Sequence, residues 1–372
     1  MKVPFIDLKR FENGFLEVLN AEFQQINANA QFIGGNAVSQ FENKCKEFLG
    51  VSYCISCANG TDAIQLALRA LGVGRGDIVL VPNLTFWASF EAVVNVGAEP
   101  ATIDAELSDG GISVQALDEA IRLLKPKAVI IAHLYGWGSA RLFEIRSLCI
   151  ERGVFLVEDG AQSFGTRYEG KSIYQNALVA TCSFYPAKVL GGAGDGGAIF
   201  TNDIEIAERI RSLGNHGRTS HYGHGLIGWN SRLDSLQASF LNLSLNYINQ
   251  RILSRQQSAK YYQLSLPKIG IEVMLPPKDY DENGYCNVCL IKDKKLKFKI
   301  ESKLKLEGIG FANIYPGVMS KQKGAEGITK GHFGGISAEN ICESVLNLPL
   351  FPYMHCNELE RVLEVISSAI RK

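Results

Sequence analysis

The sequence predicts an α/β protein whose mainly parallel sheet is covered by helices on both faces. Apolar runs such as Ile78-Val79-Leu80-Val81 and Ala128-Val129-Ile130-Ile131-Ala132 are nearly continuous, the pattern of strands buried on both sides. Helix-length segments separate them, which favours parallel crossovers. At 372 residues the chain is long enough for a large core and two domains. We expect a large domain over residues 1–245 and a smaller C-terminal α/β domain over 246–372, because shorter mixed elements follow Pro267.

Composition excludes several classes of function. With 38 basic and 38 acidic residues the formal charge is zero, so no global field recruits nucleic acid or an anionic membrane. The lysines of residues 292–305 alternate with apolar residues and read as one solvated helix face. No apolar stretch approaches bilayer length, and Met1-Lys2-Val3-Pro4-Phe5-Ile6-Asp7 has no signal core. Nine scattered cysteines suggest a cytoplasmic protein with reduced thiols. Cys286 and Cys289 form a single C-x-x-C with no partner pair or spaced histidines, so no zinc site is expected. Cys54 and Cys57 read as buried small hydrophobes.

In chain order, an extended lead precedes a helix over 11–26 with Phe15, Val18, Leu19 and Phe23 inward, then a helix carrying Phe41, Cys45, Phe48 and Leu49. A strand over 53–58 breaks at Asn59-Gly60-Thr61-Asp62, and a helix over 63–71 ends at Gly72. Free amides at that helix start, with the Thr61 hydroxyl, form an anion cup; the same residues could equally be an ordinary N-cap. After the strand over 77–82, Phe86 or Trp87 stands where ligands meet open α/β sheets and could stack on a ring or pack in the core. Strands over 98–104, 128–133 and 153–159 alternate with helices over 113–124 and 141–152.

Three further stretches carry chemistry. Glu158-Asp159 ends a strand, where a carboxylate can pair with a protonated pyridine nitrogen, with Gln162 in reach of a phenolic oxygen; the acids could instead cap a following helix. Ser183-Phe184-Tyr185-Pro186-Ala187-Lys188 presents a lysine amine from a turn, suited to a Schiff base with an aldehyde cofactor such as pyridoxal phosphate, with Ser183 near its phosphate. Gly192, Gly194 and Gly197 spell G-x-G-x-x-G, but they lead into an apolar strand rather than a helix, which argues against a dinucleotide site. A helix over 204–214 precedes the polar loop 216–224, which holds half of the six histidines and reads as substrate-facing. A long helix from 235 to about 264 follows.

Five stretches together resemble the DegT/DnrJ/EryC1/StrS sugar aminotransferases: Asn59-Gly60-Thr61-Asp62-Ala63, Glu158-Asp159-Gly160-Ala161-Gln162-Ser163-Phe164-Gly165, Ser183 to Lys188, Gly194-Asp195-Gly196-Gly197-Ala198 and Asn230-Ser231-Arg232-Leu233-Asp234. The resemblance implies the three-layer fold type I of pyridoxal phosphate-dependent transferases. It implies Lys188 as the Schiff-base lysine, Asp159 at the pyridine nitrogen, Gln162 at the phenolic oxygen, Phe86 as the stacking ring, and Gly60, Thr61 and Ser183 at the phosphate. Asn230 would reach the phosphate in the neighbouring subunit, giving a homodimer with shared active sites. Lysine at 188 sets the chain apart from the family's dehydratase branch, which has histidine there. Asp159-Gly160-Ala161 replaces the family's usual Asp-Ala-Ala, a change expected to be tolerated. Asn313-Ile314-Tyr315-Pro316-Gly317 lacks the histidine common before Tyr-Pro, and Val318 to Gln322 lacks a second one.

The activity so implied is transamination from L-glutamate to a nucleotide-linked keto sugar for cell-surface glycan, such as lipopolysaccharide, or related biosynthesis. Lys188 would be the proton-transfer base. Tyr222 and His224 would touch substrate, since their loop resembles that of relatives acting on UDP-linked 3-keto sugars. The 3-keto position is favoured over the 4-keto, and dTDP or GDP could replace UDP. A desulfurase would need a mobile catalytic cysteine, and none is evident. A non-catalytic cofactor-binding regulator fits poorly with an intact lysine, aspartate and glutamine.

Overall fold

The computed structural model describes residues 1–371. Its centre is a sheet of β1 (Tyr53–Cys57), β2 (Ile78–Pro82), β3 (Glu99–Ile103), β4 (Ala128–Ala132), β5 (Phe155–Asp159), β6 (Val179–Ser183), β7 (Gly197–Thr201) and β8 (His332–Phe333). The spatial order is β1-β7-β6-β5-β4-β2-β3-β8. Every ladder is parallel except the two made by β7. The glycine run therefore opens a strand, as its sequence indicates. The helices are α1 (Phe15–Asn29), α2 (Gly35–Leu49), α3 (Gly60–Ala70), α4 (Trp87–Asn95), α5 (Val114–Leu124), α6 (Leu142–Arg152), α7 (Ile204–Leu213), α8 (Ser235–Asn246), α9 (Ile248–Ser265), α10 (Lys294–Leu306), α11 (Ser337–Ser344) and α12 (Cys356–Ile370).

Alternation along the strands builds three layers. Val79, Val81, Ile130 and Val157 join α3, α4 and α7 in one core. Leu80, Val129, Ile131 and Leu156 join α2, α5, α6 and α8 in the other. Such two-sided burial is why the strands lack a polar face. Cys54 and Cys57 are buried, one on each side. No helix among the described residues is long and apolar enough to cross a membrane.

A third core gathers Tyr262 of α9 with residues of α10 and α12, the small sheet Glu272–Val273, Cys289–Leu290 and Val345–Leu346, and Val3 from the N-terminal lead. We propose that this core is the smaller domain, entered at the break between α8 and α9. The chain crosses back at two strand pairings, Tyr280–Asp281 with Arg167–Tyr168 and β8 with β3. Two ion pairs fasten the lead to the C-terminal part: Arg10 bonds Asp7 and Glu358, and Arg251 makes a two-pronged contact with Glu12.

Two helices differ from expectation. The first begins at Phe15, where Gly14 takes a left-handed φ of 79°, and it buries Phe15 and Leu19 while Val18 points outward. The long helix expected from 235 is two helices. Its backbone leaves the helical region at Tyr247 (φ −108°, ψ 0°), whose ring packs on Phe15. Ile248 and Ile252 of α9 still pack in the core that α8 serves, and its later residue Tyr262 and the following Leu266 join the third core.

Glu282 is an oddity of the segment that approaches the sheet from the C-terminal side. One carboxylate oxygen accepts from Gln263 and the other has no partner. Burial pushes this carboxyl up to about 7, only partly offset by Gln263. Its folded value lies above the unfolded one near 4.5, so the stability it contributes is full below the unfolded value and is lost as pH rises toward 7. Glu282→Gln should flatten the fall in Tm between pH 5 and pH 8. An unchanged pH profile of Tm in that variant would contradict the assignment.

Candidate active site

The last two residues of β5 face opposite ways across the sheet. Glu158 is fully buried; Arg146 of α6 bonds both its oxygens at 2.8 Å, and His133 Nε2 lies 2.8 Å from Oε2. Burial would raise its pKa, but the Arg146 charge and the His133 contact outweigh that and hold it below the usual carboxylate value. Asp159 is also buried, yet it receives only neutral donors: the Ser89 hydroxyl at 2.8 Å and the Ala161 N–H at 3.1 Å. Among the described residues no cation pairs with it. Thr85 lies 3.0 Å from Ser89 and extends the chain of hydroxyls. No helix follows β5, since turns lead to the short strand Arg167–Tyr168, so these acids do not serve as a cap.

Beside Asp159, α3 begins at Gly60, and Asn59 accepts from the Asp62 N–H at 2.8 Å. The cap is therefore Asn59, and the amides of Gly60 and Thr61, among the first four of the helix, have no acceptor within it. Close packing keeps this turn against two strand ends. A Cβ on Gly60 would lie 2.7 Å from Ser183 Cβ, and one on Gly197 would lie 2.4 Å from the Asn59 carbonyl oxygen. Ser183 and Cys57 both pair with Gly197 across the sheet. Two amides, the Thr61 hydroxyl and the Ser183 hydroxyl thus converge on a cradle suited to a phosphate.

These groups line one cavity of about 690 Å³, together with Phe86, Gln162, Lys188, Tyr285 and Tyr315. Phe86 precedes α4 and is 57 % exposed, with its ring centroid 6.1 Å from that of Tyr315. Trp87 turns away and stacks on Phe90 at 4.8 Å, which resolves the choice between the two aromatics. Gln162 accepts from the Tyr135 N–H at 2.7 Å and donates to the Tyr315 hydroxyl. Lys188 Nζ donates to the Tyr285 hydroxyl at 3.3 Å and lies 5.1 Å from that ring's centroid. Burial above all, then Tyr285 and Asp159, pushes the Tyr315 phenol well above its ordinary value, keeping it a neutral donor and acceptor.

Gly60, Thr61, Phe86, Asp159, Gln162, Ser183 and Lys188 are therefore brought together. Asn230, Tyr222 and His224 are not. Asn230 pairs with Asn215, and Tyr222 is 88 % exposed on a loop whose His224 Nδ1 contacts the His216 carbonyl. Sequence reasoning missed Ser89 and Tyr285. Ser89 stands four residues after Thr85, one helical turn on, and that spacing was a usable signal; Tyr285 comes from the far side of the chain and carries none. The cavity fits pyridoxal phosphate on its own geometry: a phosphate cradle that a Cβ at Gly60 would spoil, an amine, and a buried carboxylate that lacks a cation.

The model of the DegT/DnrJ/EryC1/StrS aminotransferase family matches residues 16–367. The UDP-2-acetamido-2-deoxy-3-oxo-D-glucuronate aminotransferase of Pseudomonas aeruginosa is 36 % identical, covering 98 % of this chain and 100 % of that protein. DesV of Streptomyces venezuelae superposes with a TM-score of 0.94 at 31 % identity, over 100 % and 99 % of the two chains. NtdA of Bacillus subtilis, crystallised with bound cofactor PMP, gives 0.91 at 27 % identity, over 100 % and 86 %.

Gly160 shows why this chain departs from the Asp-Ala-Ala pattern. A Cβ there would lie 2.4 Å from the Tyr174 hydroxyl oxygen and 2.5 Å from its ring, and Tyr174 is buried, bonding the Gly160 carbonyl and Ser163. The glycine makes room for the tyrosine. Gly160→Ala should destabilise the protein by about 1–3 kcal/mol through overpacking. Combined with Tyr174→Leu it should cost clearly less than the sum of the single effects, read by denaturant unfolding. Strict additivity would show that the two positions are independent.

Proposed function

The chain belongs to the DegT/DnrJ/EryC1/StrS aminotransferase family, and from that premise we propose that it moves an amino group from L-glutamate to the 3-keto position of a UDP-linked sugar. Its cofactor is pyridoxal 5'-phosphate, which supplies an aldehyde to carry the amino group and an electron-withdrawing ring. The observation that carries the reading is Lys188 and the cation-free Asp159 in one cavity. The 3-keto assignment is supported by the 3-oxo sugar in the name of the P. aeruginosa relative.

In this reading each residue has a stated task. Gly60, Thr61 and Ser183 hold the phosphate. Asp159, steadied by Ser89 and Ala161, keeps the ring nitrogen protonated. Phe86 covers one ring face, and Gln162, whose oxygen is fixed by the Tyr135 amide, aims its amide N–H at the phenolic oxygen and at Tyr315. Tyr285 holds the Lys188 amine beside the reacting carbons. Lys188 Nζ would take the proton from the donor's α-carbon and, in the second half of the reaction, deliver a proton to the sugar carbon that receives the nitrogen. Tyr222 and His224, remote from their own cavity, contact sugar in the neighbouring subunit of a homodimer, and Asn230 reaches that subunit's phosphate.

The first test is an absorbance spectrum of the cofactor-loaded protein before and after L-glutamate. Loss of the visible band with a rise in the near ultraviolet is expected, and a visible band that glutamate leaves untouched would refute the donor. Lys188→Ala should fold normally and lose turnover by at least about a thousandfold; retained turnover would overturn the site. For the shared site, Lys188→Ala and Asn230→Ala proteins, each impaired alone, should regain activity when unfolded and refolded together. No gain on co-refolding would place Asn230 outside the neighbouring site.

A further inference from the structure

Lys188 borders a second cavity as well. On its other side lies a space of about 320 Å³, lined by Asp7, Arg10, Pro186, Ala193, Arg251 and Arg255 among others. Three arginines in one small space would repel one another unless neutralised, and two of them are. Arg10 bonds Asp7 and Glu358, and Arg251 bonds Glu12 through both prongs. Arg255 has no such partner. It is 4 % exposed, its Nε is unpartnered, and its Nη1 makes only long contacts, 3.4 Å to the Gly284 carbonyl and 3.3 Å to the Leu350 carbonyl. Among the described residues no carboxylate lies within ion-pair distance of it.

A buried cation without an anion is strongly unfavourable, which is why removing one partner of a buried pair is so destabilising. Here nothing has been removed, so the anion is supplied from outside. We propose that the cavity behind Lys188 is a carboxylate site, in which Arg255 receives a carboxylate of the amino donor. The ligand class is a short dicarboxylate whose amine lies toward Lys188. Burial draws the Arg255 pKa down to about 10, and Lys188, on the wall of the same cavity, bonds Tyr285. The keto sugar, which enters through the larger cavity, has no part in this site. The proposal rests on the transaminase reading only for the donor's identity; the anion site stands on Arg255 itself.

The probe is glutarate, a dicarboxylate with no amine, titrated calorimetrically into the cofactor-loaded protein. Wild type should bind it in the millimolar range or tighter, Arg255→Met should weaken binding at least tenfold, and Arg255→Lys should retain part of it. In turnover, Arg255→Met should raise KM for glutamate at least tenfold and leave KM for the sugar within twofold. Should Arg255→Met fail to fold, Ala193→Asp places a competing carboxylate at the rim of the cavity and should weaken glutarate binding similarly. Wild-type protein that does not bind glutarate, or a folded Arg255→Met that binds it normally, overturns the proposal. Glutarate binding that depends on Arg255, in a protein whose cofactor glutamate does not convert, upholds the site and refutes glutamate as donor.

Discussion

Two adjacent carboxylates end one buried strand, and only one of them is neutralised by the chain. Glu158 faces α6 and is held by Arg146 and His133. Asp159 faces the cavity and is held by a hydroxyl and an amide. A single step along β5 thus separates a structural charge from a chemical one, because successive side chains leave a strand on opposite faces. Slipping β5 by one residue would exchange the two, turning Asp159 toward α6 and Glu158 toward the cavity. The contacts of Glu158 with Arg146 and His133 oppose that slip, so a buried ion pair fixes which carboxylate faces the cavity.

The parallel strands account for the rest of the convergence. Neighbouring parallel strands finish at one edge, so the ends of β2, β4, β5 and β6 deliver Thr85, His133, Asp159 and Ser183 to a common rim. Antiparallel β7 enters at that rim instead of leaving it. Its first residue, Gly197, lies against the turn that opens α3, and for that reason the phosphate cradle and the glycine run are one packing unit although more than a hundred residues separate them.

Most of this was legible in the sequence because it is local. The strands announced themselves as apolar runs, and the lysine turn, the Asp-Gly-Ala-Gln stretch and the Gly-Thr turn are each contiguous. What stayed hidden depends on distant partners. Tyr285 has no local pattern, and only the path of its segment across the sheet edge brings it to Lys188. The break at Tyr247 was hidden because apolar residues continue through it, with Leu245, Ile248 and Ile252 all in one core. The glycine at 160 looked like a neutral exchange, and its meaning resides in a tyrosine fourteen residues away.

The segment that carries Tyr315 is fastened at both ends: Ala312 bridges to Asn347 before it, and His332–Phe333 adds a strand to the sheet after it. Between those staples it touches the cavity through Ile314 and Tyr315 alone. It is also held along its length, since Asn83 accepts from the Met319 and Ser320 amides and Val318, Met319 and Ala325 are buried. A change at Tyr315 would reach Gln162 through their hydrogen bond, and so the cofactor end of the cavity as well as its mouth. Where a histidine commonly precedes Tyr-Pro this chain has Ile314, which lines the cavity, so the exchange sets an apolar wall where a polar contact would stand.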